Sequence, residues 1–183
     1  YNMRDRGRVL RKMQEVPSGH DPANYVTRRM QAVAHDGESI PVTLLYRKST
    51  ALDGSAPVWL YGYGSYGISI PAGFNTNILS LADRGFIYAI AHIRGGSELG
   101  EKWRQEGRMF KKLNTFYDFI DSAKWLQANK YTSADRTIIQ GGSAGGLLMG
   151  GVVNMSPQTF KAAIAQVPFV DVMNTMLDET LHL

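Results

Sequence analysis

The chain has 183 residues, enough for about one domain with a good-sized core, and its 44% hydrophobic and 20% charged residues are ordinary for a globular protein. It contains no cysteine, which excludes disulfides, thiolate metal sites and a cysteine nucleophile. Its 20 Lys and Arg against 16 Asp and Glu give a net charge of +4, spread in clusters broken by Asp5, Glu15 and Glu106; this is a solvated surface, not a stripe for nucleic acid, and no apolar run approaches the ~18 residues of a membrane span.

No signal peptide opens the chain, which starts at Tyr1 instead of Met and ends on Leu181-His182-Leu183, so it is expected to begin inside a longer protein. The cytoplasm is the expected compartment, with a periplasm left open because absence of cysteine suits either. Residues 1–17 are polar and strand-like in places. Residues 25–34 and 39–47 flank His35-Asp36-Gly37-Glu38, and Asp-Gly between alternating apolar residues predicts a hairpin. After a polar loop at 51–56, residues 57–61 read as a buried strand that ends in glycines. The spacing of Ile78, Leu81 and Ala82 predicts a helix over 75–84, stopped by Gly85.

Residues 86–91 form the next buried strand, followed by Arg94-Gly95-Gly96 and a charged, glycine-rich stretch. Asn114 or Thr115 can cap a helix reaching about Asn129, with Phe116, Phe119, Ile120, Ala123, Trp125 and Leu126 as its apolar stripe. A short strand at 137–140 meets Gly141-Gly142-Ser143-Ala144-Gly145-Gly146; an apolar helix over 147–155 and a buried strand over 162–167 follow. Continuous apolar strands alternating with helices predict an α/β architecture, a mostly parallel sheet with helices on both faces.

Gly141-Gly142-Ser143-Ala144-Gly145 matches Gly-x-Ser-x-Gly, and a strand enters it while a helix leaves it. That is the setting of a nucleophile elbow, whose sharp turn requires small neighbours and lifts the serine hydroxyl clear of the backbone. The helix that starts there aims its first amides at the point where negative charge develops in acyl transfer. A tight turn with Ser143 as a simple N-cap is the bland alternative. A serine nucleophile needs a base and an orienting carboxylate, which in this fold follow it in the order acid, then histidine. His20, His35 and His92 precede Ser143, and His182 follows too closely to leave room for an acid loop, so none is read as the base. His35 reads as part of a turn and His92 as a satisfied residue at a strand end.

Gly62-Tyr63-Gly64-Ser65-Tyr66-Gly67 fits a dinucleotide fingerprint, but Ile68-Ser69-Ile70-Pro71 disfavours the helix that must follow, and Asp83 falls in a helix. The turn after this strand lies near the elbow in such folds. Tyr63 could supply a phenolic donor to an oxyanion there, or could be a packing tyrosine.

The segments 60–67, 91–100 and 141–146 resemble the prolyl oligopeptidase family of serine peptidases. Lys112-Leu113-Asn114-Thr115-Phe116 and the run from Ala165 to Val172 are similar to its oligopeptidase B (protease II) branch. The resemblance implies a β-propeller that screens substrates and an α/β-hydrolase domain that cuts short peptides after Arg or Lys, with no cofactor and no metal. It implies Ser143 as nucleophile, Tyr63 as the oxyanion-stabilising tyrosine and the Ala144 N–H as second oxyanion donor. Residues 1–24 would be the end of the propeller and the linker, and 25–183 the front of the catalytic domain. The family's catalytic Asp and His and its acidic specificity pocket would lie past residue 183, and the chain alone is expected to be inactive. His182 stands where relatives usually carry proline. Asp178 and Glu179 lie near the expected pocket, although a solvated helix end explains them equally. An esterase or acylaminoacyl peptidase of the same fold, and a non-catalytic binding domain on a hydrolase scaffold, are the alternatives.

Overall fold

The computed structural model describes residues 1–17 and 19–181, so the reading of His182 lies outside the described residues. Strand β1 (Tyr25–Val33) pairs antiparallel with β2 (Ser39–Arg47), from Tyr25 opposite Arg47 to Val33 opposite Ser39. The turn between them closes where the Gly37 N–H donates to the Ala34 carbonyl and the Ala34 N–H to that of Glu38, both at 2.9 Å. Gly37 sits at φ 87°, the left-handed position that the Asp-Gly pair predicts.

Strands β3 (Val58–Tyr61), β4 (Ile87–Ala91), β5 (Thr137–Gly142) and β6 (Ala162–Gln166) complete a six-stranded sheet in the order β1-β2-β4-β3-β5-β6. β2 meets β4 antiparallel, and the β4–β3, β3–β5 and β5–β6 pairs are parallel. The connection from β3 to β4 crosses the sheet in the opposite direction to that from β4 to β5. Right-handed crossovers therefore put their helices on opposite faces. Helix α1 (Thr76–Asp83) takes one face; α2 (Glu101–Gln105) and α3 (Leu113–Ala128) lie in the second connection, and α3 packs with α4 (Ala144–Met155) on the other. A short α5 (Val172–Met176) comes last.

The core lies between the sheet and α3–α4, where Leu60 and Ile139 join Phe119, Leu126, Leu148 and Val152 in one buried cluster. The expected helices on both faces are present, but the second face carries α1 alone. Trp59, Tyr61, Tyr88 and Gln140 look across at Ile78 and Leu79 over an open cleft of about 1020 Å³.

Three expectations are corrected. No strand precedes Tyr25 among the described residues; residues 1–17 are almost wholly exposed, and a polar stretch without a sheet edge to join stays irregular. Among the described residues β6 pairs on one side only and is not buried: four of its five residues are exposed, and its alanine-rich run suits an edge as well as a core. The glycine-rich stretch after β4 holds α2, anchored by buried Trp103. Neither Asn114 nor Thr115 caps α3; Lys112 stands at the N-cap and makes no side-chain capping bond. Asn114 instead donates to the Glu106 carbonyl at 2.9 Å, and the Thr115 hydroxyl to those of Arg94 at 2.8 Å and Gly107 at 3.1 Å. Both cap-type side chains tie the loop before the helix down onto it.

That loop is fixed by charge as well. The buried Arg94 guanidinium forks onto Asp118 of α3 at 2.9 and 2.5 Å, and its backbone N–H donates to the same carboxylate at 3.0 Å. Its third arm reaches Asp36 in the hairpin turn at 2.5 Å, which holds the Asp36 carboxyl below the usual carboxylate range. One cation thus joins the hairpin, the end of β4 and α3. Asp118→Ala leaves that buried cation with Asp36 as its one carboxylate, and a loss of about 3 kcal/mol in unfolding free energy is expected. The check is the midpoint of chemical denaturation, and an unchanged midpoint would deny the network its structural role.

Candidate active site

Strand β5 ends at Gly142 and α4 begins at Ala144, so Ser143 alone makes the bend. Its φ of 55° and ψ of −116° lie where a residue with a side chain is strained, at a cost on the order of 1–3 kcal/mol. Backbone bonds on three sides hold it there. Its N–H donates to the Gln166 carbonyl of β6 at 3.0 Å; its carbonyl accepts from Gly146 at 2.9 Å, Leu147 at 3.2 Å and Phe169 at 3.0 Å. The side chain is exposed and makes no capping bond to the helix. This is the geometry that the Gly-x-Ser-x-Gly pattern predicts, and it removes the simple N-cap alternative.

The flanking glycines are required by close approach. A Cβ on Gly141 would lie 2.2 Å from the Gly145 carbonyl oxygen, so any side chain there forces the bend open. A Cβ on Gly145 would lie 2.9 Å from the Gly62 carbonyl oxygen and 3.4 Å from Cδ2 of Tyr63. Glycine at this point lets the loop after β3 lie directly against the first turn of α4, and Tyr63 comes with it.

Tyr63 is half-buried beside the first turn of α4. Burial, then the neighbouring phenols of Tyr66 and Tyr61, raise its pKa above the ordinary value, which keeps it a neutral O–H donor. The Ala144 N–H, at the first position of α4, has no acceptor among the described residues. An exposed serine side chain and a free helix-terminal amide therefore meet at one bend, with the Tyr63 ring against the same helix turn.

No described histidine bonds to Ser143. His20 packs against Tyr25 and Phe74, with ring centroids 5.2 Å away in each case. His35, beside the hairpin turn, reaches Asp121 at 3.3 Å and stacks near Tyr117. His92 is buried just after β4, contacting Thr43 at 2.8 Å, Arg29 at 3.1 Å and Glu98 at 3.4 Å. The glycine-rich run 62–67 does not open a helix: residues 68–75 are irregular before α1, and Asp83 is taken up by Tyr25 and Arg47. Nothing there offers a pyrophosphate a helix N-terminus. Asp178 and Glu179 are exposed, and Asp178 accepts from the backbone and hydroxyl of Thr180.

Sequence reasoning assigned no role to Lys112, whose Nζ bonds to the Gly64 carbonyl at 2.5 Å and to Ser65 Oγ at 2.9 Å, on the Tyr63 loop. The available signal was a lysine where a helix start favours an acid or a capping side chain.

Comparison with known proteins identifies the family. The family model described as the prolyl oligopeptidase family matches residues 72–183. Dipeptidyl aminopeptidase BI of Pseudoxanthomonas mexicana is 53% identical over 94% of this chain and 24% of its own length. Protease 2 of Moraxella lacunata is 42% identical over 92% of this chain, again 24% of its own length. The structure of oligopeptidase B from Leishmania major superposes with a TM-score of 0.87 at 50% identity, over 90% of this chain and 23% of that one. The chain thus spans about a quarter of the length of these relatives. With the family model matching more than half of its residues, this chain belongs to the prolyl oligopeptidase family.

Proposed function

We propose that the full-length protein is a serine peptidase that hydrolyses short peptides after Arg or Lys through an acyl-enzyme on Ser143. The observation that carries this reading is the exposed Ser143 side chain, held at φ 55° on a strained bend of the kind that clusters at active sites. In the proposed reaction Ser143 Oγ attacks the scissile carbonyl. Its proton passes to a histidine, oriented by an aspartate, in the remainder of the full-length protein. The Tyr63 hydroxyl and the Ala144 N–H stabilise the oxyanion, and water then releases the acyl group. Residues 1–24 are assigned to the end of a propeller-like domain and its linker. Preference for basic side chains is supported by likeness to proteins named oligopeptidase B and Protease 2.

The higher identity to a protein named dipeptidyl aminopeptidase favours a second reading, release of dipeptides from a free N-terminus. Substrates with free and blocked amino ends, in basic-peptide, acyl-peptide and ester forms, separate this reading from endopeptidase, acylaminoacyl-peptidase and esterase activity.

In the full-length protein, Ser143→Ala should abolish labelling by a fluorophosphonate and lower kcat by more than about 10⁴-fold. Undiminished turnover in that variant would exclude Ser143 as nucleophile. Tyr63→Phe, which removes one hydroxyl, should lower kcat about a hundredfold while leaving fluorophosphonate-accessible Ser143 in place. An equal rise in KM with kcat preserved would make Tyr63 a packing or binding residue instead.

A further inference from the structure

Lys112 is a cation at the start of a long helix. It stands at the N-cap of α3, where the helix dipole disfavours a cation. Among the described residues it forms no ion pair, whereas the cations around it are occupied. Lys111 pairs with Glu106 at 2.6 Å, Arg104 with Glu101 at 2.7 Å, and Arg94 with Asp118 and Asp36. Arg108 turns to the Met109 sulfur, and the phenols of Tyr63 and Tyr66 are the titratable groups on the loop that it grips. With burial and no counter-charge, the Lys112 pKa falls to about 8. A lysine so placed is a burden on the fold, and its two bonds go to the residues that follow Tyr63.

We propose that Lys112 is a positioning residue for the oxyanion donor, clamping Gly64 and Ser65 so that the Tyr63 hydroxyl is already aimed when the oxyanion forms. This rests on the serine-peptidase reading above. Packing already fixes the glycines of this loop, since a Cβ on Gly62 would lie 2.5 Å from Phe119 and one on Gly64 2.4 Å from Thr115. The Lys112 bonds add a polar hold on the two residues directly after Tyr63, and a displaced donor loses much of its effect on a transition state. An ammonium donating to a carbonyl and a hydroxyl at once holds both residues more strongly than a neutral amine can. Loss of its proton, as pH rises through about 8, relieves the burial cost while loosening the loop.

The test is a double-mutant cycle in the full-length protein, with kcat and KM measured against pH for wild type, Lys112→Met, Lys112→Arg, Tyr63→Phe and Lys112→Met with Tyr63→Phe. Lys112→Met should lower kcat about ten- to a hundredfold, with KM near the wild-type value and no fall in the unfolding midpoint. Lys112→Arg should recover part of the loss and hold kcat to higher pH, since its charge persists. In the Tyr63→Phe background, Lys112→Met should cost less than about threefold, because its effect runs through the missing hydroxyl. Unchanged kcat in Lys112→Met, a full additive loss in the Tyr63→Phe background, or a loss that tracks a lowered midpoint overturns the assignment. Fluorophosphonate labelling of Ser143 keeps the two readings apart. If Ser143→Ala retains turnover, both fall; if Ser143 labels and the cycle is additive, only the Lys112 assignment falls.

Discussion

A serine backbone does not rest at φ 55° by itself; the residues around it must leave it no alternative. Here the constraint is the direct passage from β5 into α4 with a single residue between them. The strand fixes the direction of entry, the helix fixes that of exit, and the backbone of β6 fixes the amide in the middle. Small residues at Gly141 and Gly145 make this possible, since a methyl group at either would collide with main-chain oxygen. The same tightness leaves Ser143 Oγ standing clear of its own helix. Strain, exposure and helix-terminal amides are consequences of one short connection.

The other parts of the site are brought in by the parallel sheet. Loops after β3, β4 and β5 leave from the same end, as parallel strands require, so Tyr63, Arg94 and Ser143 share one rim although far apart in the chain. Arg94 is the structural member of that group. By holding Asp118 and Asp36 together it sets the position of α3, and with it Lys112 at the helix start. The rigid scaffold therefore reaches the Tyr63 loop through a chain of bonds that begins in the buried ion network and ends at Gly64 and Ser65.

Local signals carried much of this into the sequence. Asp-Gly between alternating residues marked the hairpin, apolar runs marked the inner strands, and the stripe through Phe119 and Leu126 marked α3. Each depends on neighbours within a few positions, and so does the small-residue pattern around Ser143. What stayed hidden depends on distance. The pairing of Arg94 with Asp118 and Asp36 joins residues that no periodicity relates, and the grip of Lys112 on Gly64 joins residues 48 positions apart. Asn114 and Thr115 have the chemistry of caps, yet tertiary contacts with the preceding loop claimed both. β6 was misread because alanine is indifferent to burial, and only the sheet order shows which strand has a neighbour on one side.

The bonds from Ser143 to Gln166 and Phe169 also impose a timetable on biosynthesis. The hairpin of β1 and β2 is complete in a single contiguous stretch and can form as soon as it leaves the ribosome. The bend at Ser143 cannot be locked until later residues have emerged to pair with it. A nascent chain therefore carries Ser143 on a slack segment, and the strained arrangement arises only after the sheet beside it has been made.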